Sequence, residues 1–414
     1  MNPMTPDALK AEVCKSINAM RGPLVEISRS IHANPELAFQ ERHAHGLLTG
    51  ALRDAGLSVT PGAYEFETAF EAEFGAAAGP RVALLAEYDA LPGIGHSCGH
   101  NLIAASALGA ALALHGVAGR LPGRVRLLGT PAEESGGGKE LMARRGAFIG
   151  VDAAMMIHPA GVNLATMPSI AWSEVMVSYR GVSSHASAMP ERGVNALDAL
   201  ITAYNSIAML RQHIRATERI HGIILKGGDA PNIVPEIASG HFYIRARDMK
   251  DLAALRPRVL ACFEAGARAA GATLSVEWSD VDYLELRTNW PIANRFQKNG
   301  EALGRVFTPL EKLPSSAKGS TDMGNVSYLT PAIHPMLACA PPHVSIHNPE
   351  FAKYAGSESG DAAAIDGAKA LAMTALDYLF DAGLRDEAKQ AFEKAKQISA
   401  IEKAPAENER EGRQ

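Results

Sequence analysis

Cys98 and His100 stand two residues apart in Gly95-His96-Ser97-Cys98-Gly99-His100-Asn101, closely following Glu87-Tyr88-Asp89-Ala90-Leu91-Pro92. Thiolate and imidazole are good ligands for borderline-soft divalent cations such as zinc. A lone C-x-H pair reads more simply as a buried thiol beside a helix-capping histidine, so the weight falls on residues further along the chain. Downstream, Thr130-Pro131-Ala132-Glu133-Glu134-Ser135-Gly136-Gly137-Gly138-Lys139 sets two adjacent carboxylates after a mostly apolar run whose one charge is Arg126. One carboxylate of such a pair suits a metal while its neighbour handles a proton. The glycines before Lys139 lack the G-x-x-x-x-G-K-[ST] spacing, and Glu140 follows the lysine, which argues against a phosphate loop. His158, in Ile157-His158-Pro159, and His347, in Ser345-Ile346-His347-Asn348-Pro349-Glu350, would each read as structural if met alone.

Order along the chain changes that reading. The runs Arg81 to Glu87 and Val125 to Thr130 are short, apolar and rich in Val and Leu, as buried parallel strands are, with a helix over Leu102 to His115 between them. Met155 to His158 reads as a further strand with a polar end, and Val344 to His347 as a late one. Cys98, His100, Glu134, His158 and His347 therefore each fall at a strand end or in the loop after it. Ends of parallel strands converge on one sheet edge, where α/β folds build their sites. Five ligand-type side chains exceed the four of one tetrahedral ion, which makes two ions sharing a ligand plausible chemistry.

The chain's 414 residues exceed a usual single domain. Helices are expected from near Leu9 to His32, ended by Asn34-Pro35, and from Glu41 to Ala55. Strand–helix alternation predicts an α/β fold with a mixed, largely parallel sheet flanked by helices. From Ser169 the pattern changes to strand, helix, strand, strand, helix, strand: Trp172–Tyr179, Asn195–Gln212, Ile220–Leu225, Ala238–Arg247, Leu252–Ala270 and Thr273–Leu286. That is a ferredoxin-like α+β order. The expected division is residues 1–169 and 288–384 for the α/β domain and 170–287 for an inserted domain. A charged tail, residues 385–414, reads as solvated helix fraying into disorder. A helix from Trp290 to about Val306 precedes the late strand, and one from Asp361 to Phe380 closes the domain, with Gly383 as its stop.

A hydrophobic fraction of 47% and a charged fraction of 21% are ordinary for a globular protein, and a net charge of −5 argues against general nucleic-acid binding. No apolar run is long enough to span a membrane. The polar segment Met1 to Lys15 lacks the plan of a signal peptide. Four scattered cysteines (Cys14, Cys98, Cys262, Cys339) form no disulfide framework. A cytoplasmic, reduced protein is expected.

From His32-Ala33-Asn34-Pro35-Glu36-Leu37 to the closing helix, the combination of D-A-L-P, C-G-H, P-A-E-E, S-H-A, N-I-V-P and a late histidine resembles one family. This is the co-catalytic di-metal metallopeptidase family of aminoacylase, hippurate hydrolase, indoleacetyl-amino-acid hydrolase and aminobenzoyl-glutamate hydrolase. The resemblance implies two divalent ions, zinc or manganese with cobalt possible, on Cys98, His100, Glu134, His158 and His347. It implies Glu133 as general base, and Asp89 as the residue that orients a ligand imidazole. In the inserted domain, Arg180-Gly181-Val182-Ser183-Ser184-His185-Ala186-Ser187 resembles the segment whose histidine stabilises the oxyanion, often across a dimer interface. Asn232, in Ala230-Pro231-Asn232-Ile233-Val234-Pro235, and Arg245 resemble the family's anchors for a substrate carboxylate. The inserted domain would be both lid and homodimer interface.

Asn101 and Tyr88 depart from the hippurate-hydrolase pattern, which has Asp and Met there. The strings around Cys98, Pro190-Glu191-Arg192-Gly193-Val194-Asn195 and Ser320-Thr321-Asp322-Met323-Gly324-Asn325-Val326-Ser327 look closer to the aminobenzoyl-glutamate hydrolase branch. Asp322, Asn325 and Ser327 read either as pocket-lining residues or as caps. The expected activity is hydrolysis of the amide bond in an N-acyl or N-aroyl amino acid or small peptide with a free carboxylate. Hydrolytic deamination of an aromatic amine, and a silent conjugate-binding subunit, are the alternatives.

Overall fold

Val82 to Ala86 is apolar without alternation because its strand is buried along that whole length. In the computed structural model, which describes residues 6–314 and 318–403, the strand Arg81–Ala86 lies within a six-stranded sheet. The strand order is Val59–Pro61, Phe70–Gly75, Arg124–Gly129, Arg81–Ala86, Ala153–Met155, Ala332–Ile333. The last four run parallel, and the first two are antiparallel. The helix His100–His115 is apolar on nearly every side, as a helix packed all round must be. It lies against the strand Arg81–Ala86 and the helices Pro6–Ala19, Arg21–Ala33 and Glu358–Phe380.

The chain forms two compact units, one running to Pro168 and resuming at Leu286, the other spanning Ser169–Glu285. The second holds a four-stranded antiparallel sheet ordered Thr273–Trp278, Ala171–Arg180, Ile237–Ala246, Arg219–Lys226. Alternate residues of Ala171–Arg180 are buried, the period of a sheet with one covered face. The helices Ala196–Leu210 and Met249–Ala270 cover that face.

Several expected elements differ. The strand read as Met155 to His158 is two pieces: Ala153–Met155 in the main sheet, and His158–Ala160 paired in parallel with Met336–Ala338. His158 thus opens a small second ladder and does not end the first. Val344 to His347 is turn, not strand, and His347 has φ 60°. The long N-terminal helix is two, Pro6–Ala19 and Arg21–Ala33. Gly383 stops nothing: the closing helix, Glu358–Phe380, ends at Asp381, whose Oδ1 accepts from Leu384 N at 3.0 Å and opens a further helix, Ala382–Lys403. The tail's start is not merely solvated either, since Ala388 is buried in the core. Its end, from Ala404, lies outside the described residues. No helix among the described residues is long and apolar enough to cross a membrane.

Candidate metal centre

The parallel strands end at Ala86, Gly129 and Met155, so residues 87–100, 130–138 and 156–160 leave the sheet along one edge. Gly99 lets two of these segments meet. It adopts φ 79°, and a Cβ there would sit 2.5 Å from Pro159 Cγ. Gly138 serves the third, since a Cβ would lie 1.8 Å from the Pro131 carbonyl oxygen.

Three overlapping groups of ligand atoms result, each lying within 4.8 Å: Cys98, His100 and His158; Cys98, Glu134 and His347; Glu87, His100 and Glu133. All are buried except Glu134, which is half-buried, and His347, which is exposed. Cys98 Sγ lies 3.3 Å from His158 Nε2, and His347 Nε2 lies 3.3 Å from Glu134 Oε2. The five residues that the family resemblance implies as ligands are therefore brought together, with Glu133 beside them.

Hydrogen bonds orient the two buried histidines nearest the cluster, His158 and His100. His158 Nδ1 is 2.7 Å from the Pro159 carbonyl, which only accepts, so Nδ1 is the donor and Nε2 carries a lone pair. His100 Nδ1 lies 3.1 Å from Asp89 Oδ1 and donates to it, which turns its Nε2 into the cluster. That Nε2 faces Glu87 Oε1 at 3.3 Å, Glu134 Oε1 at 3.7 Å and Glu133 Oε2 at 3.8 Å. Glu87 Oε1, His100 Nε2 and Glu134 Oε1 are buried without a hydrogen-bond partner among the described residues. Carboxylate oxygens gathered out of water repel unless positive charge, an imidazolium proton or a metal ion, lies among them. The donor set, thiol, imidazole and carboxylate, fits divalent metal ions.

Protonation follows the same logic. Burial, with Glu134 nearby, pushes the Cys98 thiol well up, so thiolate forms there only against a cation. Burial holds the His158 imidazolium down to about 4, keeping the ring neutral. Burial would lower His100 too, but Glu87, Cys98 and Asp89 prevail and raise it, marking a place that attracts positive charge. Burial together with Glu87 and Glu134 raises the Glu133 carboxyl well above the usual range. For Glu134, burial is overcome by His347 and His100, which hold it low. Asp89 ties these parts together, accepting from His100 with Oδ1 and from Glu134 N with Oδ2 at 2.9 Å.

His185, Asn232 and Arg245 belong to the second unit. His185 and Asn232 are exposed neighbours, with Ala186 N donating to the Asn232 carbonyl at 3.0 Å. Arg245 is half-buried on the uncovered sheet face, its guanidinium 5.7 Å from the Trp172 ring and 5.9 Å from Tyr243.

Other residues carry more than their sequence context suggested. Lys139 has no exposed side chain and joins Glu87 Oε2 at 2.5 Å to Asp322 Oδ1 at 2.7 Å, both equally buried. The lysine after a glycine run, with no phosphate-loop spacing, was the available signal. His334 lies buried with its ring 5.4 Å from that of His158, and neither nitrogen has a hydrogen-bond partner among the described residues. It sits in an apolar string that gave no hint. Of the residues read as pocket or cap, Asp322 serves Lys139. Asn325 donates to Glu140 Oε2 at 3.1 Å, and Ser327 Oγ accepts from Arg287 N at 2.9 Å. Asn101 is fully buried and donates to Ser28 Oγ and the Ala355 carbonyl, joining helices. Tyr88 is core, stacked near Phe70 with its hydroxyl on the Thr68 carbonyl.

The Xaa-Arg dipeptidase of Mus musculus is 41% identical over 400 residues, spanning 93% of this chain and 92% of its own length. A p-aminobenzoyl-glutamate hydrolase chain of Escherichia coli is 28% identical over 450 residues, spanning 91% and 93%. Among solved structures, a Bacillus subtilis dinuclear metal-binding peptidase of the M20 family is similar in fold, with a TM-score of 0.64 and 20% identity, covering 87% of this chain and 99% of its own. Residues 83–396 match the profile of peptidase family M20/M25/M40. The chain belongs to that family and is a hydrolase acting on amide bonds.

Proposed function

We propose that the chain is a metal-dependent amidohydrolase that cleaves a small peptide or N-acyl amino acid with a free carboxylate. The observation that carries this reading is the convergence of ligand atoms from Cys98, His100, Glu133, Glu134, His158 and His347 in overlapping groups. Cys98, His100, Glu134, His158 and His347 would hold two divalent ions, with zinc, manganese or cobalt all compatible with this donor set. Such ions acidify a water and take up negative charge as it develops on the substrate carbonyl oxygen. The chain's own groups do the rest. Glu133 takes a proton from the attacking water and returns it to the leaving amine as the C–N bond breaks. Asp89 keeps the His100 proton on Nδ1. His185 stabilises the oxyanion, and Asn232 with Arg245 grips the substrate carboxylate.

Likeness to the mouse enzyme favours dipeptides over aminobenzoyl-glutamate conjugates as substrates. A panel of dipeptides with C-terminal basic or acidic residues, N-acyl amino acids and aminobenzoyl-glutamate, read by amine release, tests this choice. Ammonia release without amino-acid release would instead favour deamination. Metal-stripped protein should be inactive and regain turnover with added divalent ions. Glu133→Gln should keep its metal and lose activity. Full turnover in either sample sinks the mechanism.

A second copy is the partner this reading expects. The strand Arg219–Lys226 lies at a sheet edge, and Ile223, Ile224 and Leu225 on it are exposed, as are Ile201 and Met209 of the adjoining helix. An open edge with apolar residues is a template for pairing. The absence of a basic footprint leaves nucleic acid out of the reading, and a cytoplasmic location remains its expectation.

A further inference from the structure

Glu41 has no part in the chemistry above, yet it is fully buried and accepts three hydrogen bonds. Its Oε1 accepts from the backbone N–H of Phe39 and of Ala132, each at 2.9 Å, and its Oε2 from Thr68 Oγ1 at 2.8 Å. Phe39 and Ala132 are both non-glycine residues in the left-handed region, with φ 60° and 61°. That conformation is unfavourable for an L-residue, so a turn built on it needs an external tie. One carboxylate oxygen ties both.

Ala132 directly precedes Glu133 and Glu134, and the turn it makes decides where those carboxylates point once the chain leaves the strand Arg124–Gly129. The other end of the pair is fixed independently, by Asp89 Oδ2 on Glu134 N. The Phe39 ring closes over the following glycines, so near that a Cβ on Gly136 would meet it at 2.8 Å. Keeping a carboxyl here is costly in itself: burial, with Asp89 nearby, pushes Glu41 up to about 7.

We propose that Glu41 is a positioning residue that holds the left-handed turn at Ala132 and thereby aims Glu133 and Glu134 at the metal centre. The proposal rests on the reading of Glu133 as proton carrier and Glu134 as ligand. Glu41→Gln keeps a carbonyl oxygen able to accept both backbone bonds. Glu41→Ala removes the tie. Thr68→Val removes only the third bond and so controls for lost stability. Kinetic constants, melting temperature and the chelator concentration that strips half the metal are measured for each.

Glu41→Ala is expected to lower kcat about 100-fold, the scale set by small misplacements of catalytic groups, with little change in KM. It should also release metal at lower chelator concentration. Glu41→Gln should restore both properties, and Thr68→Val should lower the melting temperature without matching the kcat loss. Wild-type kcat and chelator resistance in Glu41→Ala overturn the proposal. So does a Thr68→Val variant that loses as much kcat as Glu41→Ala at the same melting temperature. If Glu41→Ala does not fold, Glu41→Asp, one methylene too short to reach both N–H groups, must show the same kcat loss. Glu133→Gln separates the two levels: an active variant sinks the underlying reading, whereas a dead one beside an unaffected Glu41→Ala sinks only this proposal.

Discussion

The two units treat the polar groups of the proposed site in opposite ways. The first packs Glu87, Asp89, Cys98, His100, Glu133, Lys139, His158 and Asp322 out of water within one region. The second leaves His185 and Asn232 exposed and Arg245 half-buried on an uncovered sheet face. Burying ionisable groups together is unfavourable unless opposite charge joins them, so the first arrangement implies permanent cations and a fixed geometry. Groups left in water suit partners that come and go, because they need no permanent counter-charge. The contrast teaches which residues should fail by losing metal or fold, and which by losing affinity.

The largest effect belongs to the buried side. Glu133→Gln should lower kcat about 10²–10⁴-fold, the range of a lost general base, while the bound metal stays. Lys139→Met comes next. It would leave Glu87 and Asp322 as uncompensated buried charges, and breaking such a pair costs about 3–5 kcal/mol. Chemical denaturation should show this loss in metal-stripped protein. An unchanged midpoint would mean that the triad adds no stability and the contrast is overdrawn. On the exposed side, Arg245→Ala should raise KM about 10–100-fold, as loss of a charged hydrogen bond does, and leave metal content unchanged. Metal loss in that variant would break the division between the two units. The smallest change is expected from Ile223→Lys, which should shift sedimentation of the proposed dimer toward monomer and leave metal binding intact. An unaltered sedimentation coefficient would remove the edge strand Arg219–Lys226 as an interface.

Much of this was legible along the chain because it rests on local rules. The uninterrupted apolar run Val82–Ala86 announces a strand buried throughout, and the alternation in Ala171–Arg180 announces a sheet with one covered face. The ligands were legible through residue type and their place after strands. Phe70–Gly75 was missed although Glu71 and Glu73 alternate with apolar residues as a strand should; only the structure shows Arg81, Arg124 and Arg126 taking up the charge of Glu73. His347 does stand beside Glu134, but it ends no strand, because its placement depends on a turn.

The sequence by itself determined the α/β and ferredoxin-like patterns and the set of soft and hard donors, because periodicity and side-chain chemistry are properties of the chain. Only the tertiary structure decided the protonation of those donors and the company they keep. The orientation of His100 comes from Asp89, and the tautomer of His158 from the Pro159 carbonyl. The charge of Lys139 is spent on Glu87 and Asp322, which lie 52 and 183 residues away in sequence. The aim of Glu133 depends on a turn tied to Glu41, 91 residues upstream of Ala132. Those are long-range contacts between buried groups, and a pattern confined to neighbours along the chain cannot carry them.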